Sequence, residues 1–368
     1  MQEEQSEMLQ SVARMTRDMR AAATNLSPDE ARFLVDAYYQ MQDRRIAAAN
    51  QSRALDKTAE PHEILDWLRT QSTVIEDQVK GVLGKYVGAH IVGPWALDQM
   101  GVGPVIAAGI IARVDIKLAP TAGHIWRFAG LDPTQEWRKG ERRPWNADLR
   151  RICWLLGESL VKLSPRYLDG DESCYYTGVY LKRKAREIIR NHSGDLSEQA
   201  IGARTKKRFG DDTSAIKWLN GDLAKIGTTK KILLSPWVRV ETVFPVKDGV
   251  RYAIDTDKKD EDDRRLLLIN HMKMLGVETH GEGWSIRSRP FHELKPDEMI
   301  PMLPPAHIHS RAKRYAVKLF VAHLHEIWYR LEFGKAPPAP YPIAHLGHSH
   351  HIDPPGLAGI APRASHHS

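Results

Sequence analysis

The chain has 368 residues, 42% of them hydrophobic, which is enough for real cores, and its length argues for two or three domains rather than one. Lys and Arg number 53 against 46 Asp and Glu; the net +7 suits a polyanionic partner without being extreme, so the distribution of the charge has to decide. Two cysteines, Cys153 and Cys174, exclude a disulfide framework and lack metal-ligand spacing, the polar start Met1-Gln2-Glu3-Glu4-Gln5 excludes a signal peptide, and no apolar run approaches the roughly 18 residues of a membrane helix. The expectation is a cytoplasmic protein without membrane contact.

Met8, Val12, Met15 and Met19 recur at helical spacing and predict an amphipathic helix over 5–23, within an N-terminal segment 1–26. Leu26-Ser27-Pro28-Asp29-Glu30 follows, with Ser27 as N-cap, Pro28 at the first helical position and Glu30 completing a capping box. The helix it opens carries Leu34, Tyr38, Met41 and Ala48; beyond the polar stretch 50–60, Pro61 opens a second with Ile64, Leu68, Ile75, Val79 and Val82. Two helices of roughly 25 residues would span on the order of 35–40 Å, so 27–95 is expected to form an antiparallel coiled-coil arm. Such an arm has little core of its own and commonly packs against a second copy, which predicts a homodimer.

A helical module is expected over 96–235. It opens on Gly101-Val102-Gly103-Pro104, where the glycines can take positive φ and leave backbone N–H groups open to an oxyanion, and where Pro104 suits a helix start. Ala107, Ala108 and Gly109 then let another helix pack closely. This is the logic of a helix-hairpin-helix, with an ordinary Gly-Pro turn as the competing reading. Further helices are expected over 122–131, 149–163 and 176–190. Basic residues gather beside aromatics in Trp137-Arg138-Lys139-Gly140-Glu141-Arg142-Arg143-Pro144-Trp145 and continue through Asn146 to Arg150 and Arg151. Guanidinium groups can fork onto phosphates while indoles stack on unpaired bases. Lys182, Arg183, Lys184, Arg186 and Arg190 form a second cluster, and Lys206, Lys207 and Arg208 a third.

Val238, Val240, Thr242 and Phe244 alternate, Lys247-Asp248-Gly249 makes a turn, and Val250, Tyr252 and Ile254 alternate again, predicting a β-hairpin within a small α+β insertion over 236–303. A last long helix is expected from Pro305 to Phe333, within 304–335. Its apolar stripe is Ala316, Phe320, Leu324, Ile327 and Leu331, and Arg311, Arg314 and Lys318 make a basic face. Residues 336–368 read as a Pro- and His-rich tail, extended or disordered. No constellation for hydrolysis stands out. Asp255 and Asp257 lead into an acidic run that reads as a solvated loop. His307 and His309, like His323 and His325, are two apart, which on a helix faces opposite sides.

With these residues in hand, the stretch 98–163 resembles the C-terminal helix-hairpin-helix region of insertion-sequence transposases that use a bridge RNA. The pattern there is G-x-G-x-x-x-A, A-G-L-x-P and N-x-x-L-R-R, matched here by Gly101, Gly103, Ala107, Ala129, Gly130, Leu131, Pro133, Asn146, Leu149, Arg150 and Arg151. The RuvC-like catalytic domain with which those transposases begin has only a short helical lead in its place, and their catalytic serine has only Ser173 as a candidate. An arm followed by such a module is also similar to the Nop domain of box C/D ribonucleoproteins and to the Tas proteins of TIGR systems. In that family a Nop domain grips a kinked guide RNA, a coiled coil dimerises, the guide pairs with DNA, and some members carry no nuclease.

The resemblance implies a mainly α protein that binds a structured guide RNA as a homodimer and recognises target DNA through it, with neither a cofactor nor a nuclease of its own. Gly101 and Gly103 would hold phosphates, 137–151 would grip RNA, and Lys182–Arg190 with Arg311–Lys318 would line a path for guide or target. Two alternatives remain open. One is a transposase-derived recombinase or nuclease using Ser173 or Asp255 and Asp257; the other is a plain helix-hairpin-helix binder of duplex DNA.

Overall fold

The computed structural model describes residues 14–55, 63–193, 196, 199, 238–240, 246–247, 250–251, 299–301, 303, 305–338 and 351–357. These are mainly helical, and no helix among them is long and apolar enough to cross a membrane. The chain divides into two compact units, Met1–Tyr176 with Val317–Ser368, and Thr177–Ala316.

In the first unit the expected helix over 5–23 is described only as α1 (Arg17–Ala22), capped by Thr16, whose hydroxyl accepts from the Met19 N–H at 3.2 Å. A 3-10 turn over Ala23–Asn25 leads to α2 (Pro28–Leu55). Its capping box is formed: the Glu30 carboxylate accepts from the Ser27 N–H at 2.8 Å and from its hydroxyl at 2.7 Å, while the Glu30 N–H donates back to that hydroxyl at 3.3 Å. These bonds hold the Glu30 carboxyl below its ordinary range. α3 (Glu63–Ala89) runs antiparallel to α2, with Arg45 2.7 Å from Glu76 and Ser52 opposite Asp66.

The buried stripe of α2 is Ala31, Val35, Tyr39 and Ala48; Leu34, Tyr38 and Met41 are half-buried beside it. On α3 the half nearest the rest of the unit is apolar inside, through Val79, Val82, Leu83, Tyr86 and Val87. The distal half reverses this: Gln71, Ser72 and Glu76 are buried, while Ile64, Trp67 and Leu68 are exposed.

α4 (Gly93–Asp98) and α5 (Pro104–Ile111) follow, then a 3-10 turn over Ile116–Leu118, α6 (Ala122–Phe128), α7 (Ala147–Lys162) and α8 (Ser164–Leu168). α5 is apolar all round and therefore central, packing on α2, α3 and α7. Leu149, Ile152, Cys153, Leu156 and Leu160 make the buried side of α7. Burial pushes the Cys153 thiol up to about 12, which leaves it unreactive. α9 (Tyr175–Ser193) and α10 (Pro305–Phe333) contribute to both units. In the first, Phe320 of α10 stacks on Trp95 at 5.8 Å and meets Tyr176 edge-on at 5.2 Å.

Part of the tail expected to be extended or disordered is docked on this core. Trp95 Nε1 donates to the Pro355 carbonyl at 2.9 Å, His323 Nε2 lies 2.9 Å from the Ile352 carbonyl, and His351 lies 3.2 Å from Glu326. With Nε2–H donating to Ile352, His323 Nδ1 accepts from the Tyr176 hydroxyl at 2.8 Å, a neutral imidazole bonded at both nitrogens. Burial lowers its pKa to about 4, against about 6.5 in an unfolded chain. Between those pH values the unfolded chain takes the proton and the folded one does not. Stability is therefore complete above pH 6.5 and falls as pH drops towards 4, by about 2–3 kcal/mol from this residue. Denaturation midpoints measured from pH 7 to pH 4 check this, and His323→Gln flattens the dependence.

In the second unit, Arg183 of α9 lies over Tyr315 of α10, Glu187 faces Arg311, and Asn191 reaches Leu303 just before α10, so the two segments run antiparallel; Tyr180 lies 2.9 Å from His309. The small side chains Ala185 and Ala312 are fully buried. Asn191 bonds both the N–H and the carbonyl of Leu303 at 2.9 Å, beside an apolar cluster of Leu196, Leu303 and Ile308. Strand β1 (Val238–Val240) pairs antiparallel with β4 (Met299–Pro301), and β2 (Val246–Lys247) with β3 (Val250–Arg251). Most of the expected insertion lies outside the described residues, as do Asp255, Asp257 and Lys206–Arg208.

Candidate nucleic-acid interface

The basic and aromatic segment is carried on a loop with a rigid frame. At the end of α6 the Gly130 N–H donates to the Arg127 carbonyl and the Leu131 N–H to that of Trp126, a helix terminus that turns on Gly130 at φ +63°. Asp132 then accepts from the N–H and hydroxyl of Thr134 at 2.9 and 2.8 Å, bonds that hold its carboxyl low. The loop returns where the Asn146 N–H donates to the Phe128 carbonyl at 2.8 Å. Asn146, expected among the RNA contacts, spends its side chain on the helix: its carbonyl oxygen accepts from the Leu149 N–H at 2.8 Å and caps α7.

Between these anchors the sequence-predicted cations are in solvent. Arg138, Lys139, Arg142, Arg143, Arg150 and Arg151 are all exposed. Trp137 and Trp145 meet edge to face at 6.2 Å, with Arg143 over the Trp137 ring at 5.4 Å and Arg150 over that of Trp145 at 4.4 Å. Trp137 Nε1 donates to the Glu141 carbonyl at 2.8 Å, which fixes the ring. Arg151 reaches back to α2, 5.1 Å over Tyr39 and 3.7 Å from Asp43. Stacked on indoles, the guanidinium groups keep their N–H edges for a phosphate while losing little side-chain freedom.

Trp145 itself rests on Gly130, where a Cβ would come 2.8 Å from its ring. Gly130→Ala therefore meets both a left-handed backbone and an occupied space. It is expected to cost about 2 kcal/mol and to displace the indole, as read by denaturation and by near-ultraviolet circular dichroism.

The glycine hairpin faces two ways. Gly101, at φ +93°, is packed: a Cβ would come 3.1 Å from Leu160 and Leu163, and its carbonyl accepts from the Ser159 hydroxyl at 2.7 Å. Gly103 is exposed as the N-cap residue of α5, with open space where a Cβ would stand. One glycine thus joins the turn to α7, and the other leaves the start of α5 accessible.

In the second unit Lys182 and Arg186 are exposed on one face of α9, and Arg314 is exposed on α10. Arg183, Arg190 and Arg311 converge on Glu187, whose carboxylate is fully buried; Arg311 lies 3.2 Å from it and Arg190 3.8 Å. Arg183 also lies over Tyr315 at 4.7 Å. Burial lowers the Lys184 ammonium pKa. Three guanidinium groups around one carboxylate leave a surplus of positive charge. Lys318 belongs to the first unit, its ammonium 4.2 Å over Trp126, whose Nε1 donates to the Lys318 carbonyl.

Ser173 donates to Asp171 at 2.5 Å beside Arg166, in the turn before α9. His307 and His309, like His323 and His325, do not converge: His309 meets Tyr180, His323 meets Tyr176, and His325 lies 2.7 Å from the Ala119 carbonyl. Sequence reasoning passed over Glu187 and took Gly130 only as part of a turn motif, not as the seat of Trp145. For Glu187 a signal existed in its spacing, four residues after Arg183 and three before Arg190; for Gly130 nothing local announces the indole above it.

No family model matches this chain, and no curated protein or solved structure matches it either.

Proposed function

We propose that this chain is a guide-RNA-binding protein of an RNA-guided DNA-recognition system, acting as a homodimer without a cofactor or a nuclease of its own. The observation that carries the reading is the exposed loop 137–145 with Arg150 and Arg151, in which paired indoles hold arginines at the surface of a framed turn. Guanidinium edges and indole faces side by side suit a sugar-phosphate strand with unpaired bases. The open start of α5 at Gly103 and the surplus charge around Glu187 add to it. Base pairing of the guide would supply specificity while the protein reads shape and backbone.

The dimer is supported by the distal part of α3. Ile64, Trp67 and Leu68 stand exposed at three-and-four spacing over a polar interior, and a second copy would cover them. Purifying the full chain from its native host and sequencing the co-purified nucleic acid tests the reading. A discrete short RNA is expected, and recovery of none overturns it. Duplex DNA outcompeting structured RNA at matched salt would instead favour a plain DNA binder.

A further inference from the structure

The buried side of α7 is complete without Trp154. Leu149, Ile152, Cys153, Leu156 and Leu160 face the core, while Trp154 lies on the opposite side with 55% of its surface in solvent. Trp154 is more exposed than Trp67 at 47% or Trp137 at 36%. It follows Arg150 by four residues and Arg151 by three, so all three side chains are neighbours on one helix face. Arg150 in turn covers Trp145, which places Trp154 one helical turn beyond the framed loop.

From this juxtaposition we propose that Trp154 is a stacking post for an unpaired base, so that the strand crossing α7 is single-stranded RNA; this rests on the RNA-binding reading above. The occupant follows from charge and shape together. Two adjacent arginines suit consecutive phosphates of one backbone, and an indole projecting from a convex helix can stack only on a base whose face is open. In a duplex every base face is covered by its neighbours, so the ring would gain nothing there.

Fluorescence anisotropy of the full chain with an unstructured 12-nucleotide RNA and with a 12-base-pair RNA duplex tests this. Trp154→Ala is expected to weaken the single strand about ten- to hundredfold and to leave the duplex within about twofold, while Trp154→Phe, which keeps a stacking face, restores most of the affinity. A 2-aminopurine placed in the strand should be quenched on binding to the wild type and not to Trp154→Ala. Because Trp154 is exposed, the variants fold, and circular dichroism verifies it. Equal loss for both RNAs, or no loss from Trp154→Ala while Arg142→Ala with Arg143→Ala weakens binding, overturns the stacking post and leaves the RNA reading standing. If the wild type binds neither RNA, both fall.

Discussion

Replacing Arg142, Arg143, Arg150 and Arg151 together with alanine is expected to weaken the proposed binding of structured RNA about a hundredfold or more near 150 mM salt and to lower the slope of log K against log salt by about 3. Each guanidinium that neutralises a phosphate releases close to one counterion, so the slope counts contacts while the affinity sums them. All four side chains are exposed, and Arg143 and Arg150 are held on indoles. Their loss removes three cation–π contacts of about 0.5–1 kcal/mol each and the exposed Arg151–Asp43 ion pair, too little to unfold the unit, so a binding defect is read without a folding defect. Titrations between 50 and 400 mM salt make the measurement. An unchanged slope puts the strand on another surface.

Glu187→Ala is the second large effect, and it falls on stability. The carboxylate is fully buried and faces Arg183, Arg190 and Arg311. Removing it leaves three partly exposed cations without their shared counter-charge at the α9 and α10 contact, at a cost of about 1–3 kcal/mol. Glu187→Gln keeps the shape and loses the charge, and is expected to fall between the two. Replacing Glu187 and Arg311 together by methionine costs less than Glu187→Ala alone, because the charge and a partner leave together. Denaturant titration of the three variants ranks them; a Glu187→Ala midpoint equal to the wild type would show that the arginines are satisfied by solvent.

How much was legible follows the distance between partners along the chain. The Ser27 cap acts over three residues, and the helix it starts was readable from those residues alone; Asn146 caps α7 over the same span but was read as an RNA contact, with the helix expected only from residue 149. The full extent of α10, Pro305–Phe333, was readable from its uninterrupted period. The exposed loop 137–145 was likewise visible as composition, since a dense run of charge has no buried place to go. The inside of the α2–α3 hairpin was not. Periodicity located apolar residues, but Ile64 and Leu68 lie outside and Glu76 lies inside, because Arg45, 31 residues away, neutralises it there.

By itself, then, the sequence determined a mainly helical chain, the starts of α2 and α10 and the gathering of basic residues beside tryptophans, all set by steric and hydrogen-bonding preferences within a few residues. Tertiary structure alone decided which arginines stay in solvent and which surround Glu187, that Trp145 sits on Gly130, and that residues 351–357 close on Trp95 and His323. These outcomes depend on burial, which changes the cost of a charge or an unpaired polar group by several kcal/mol, and burial is a property of residues that meet from opposite ends of the chain.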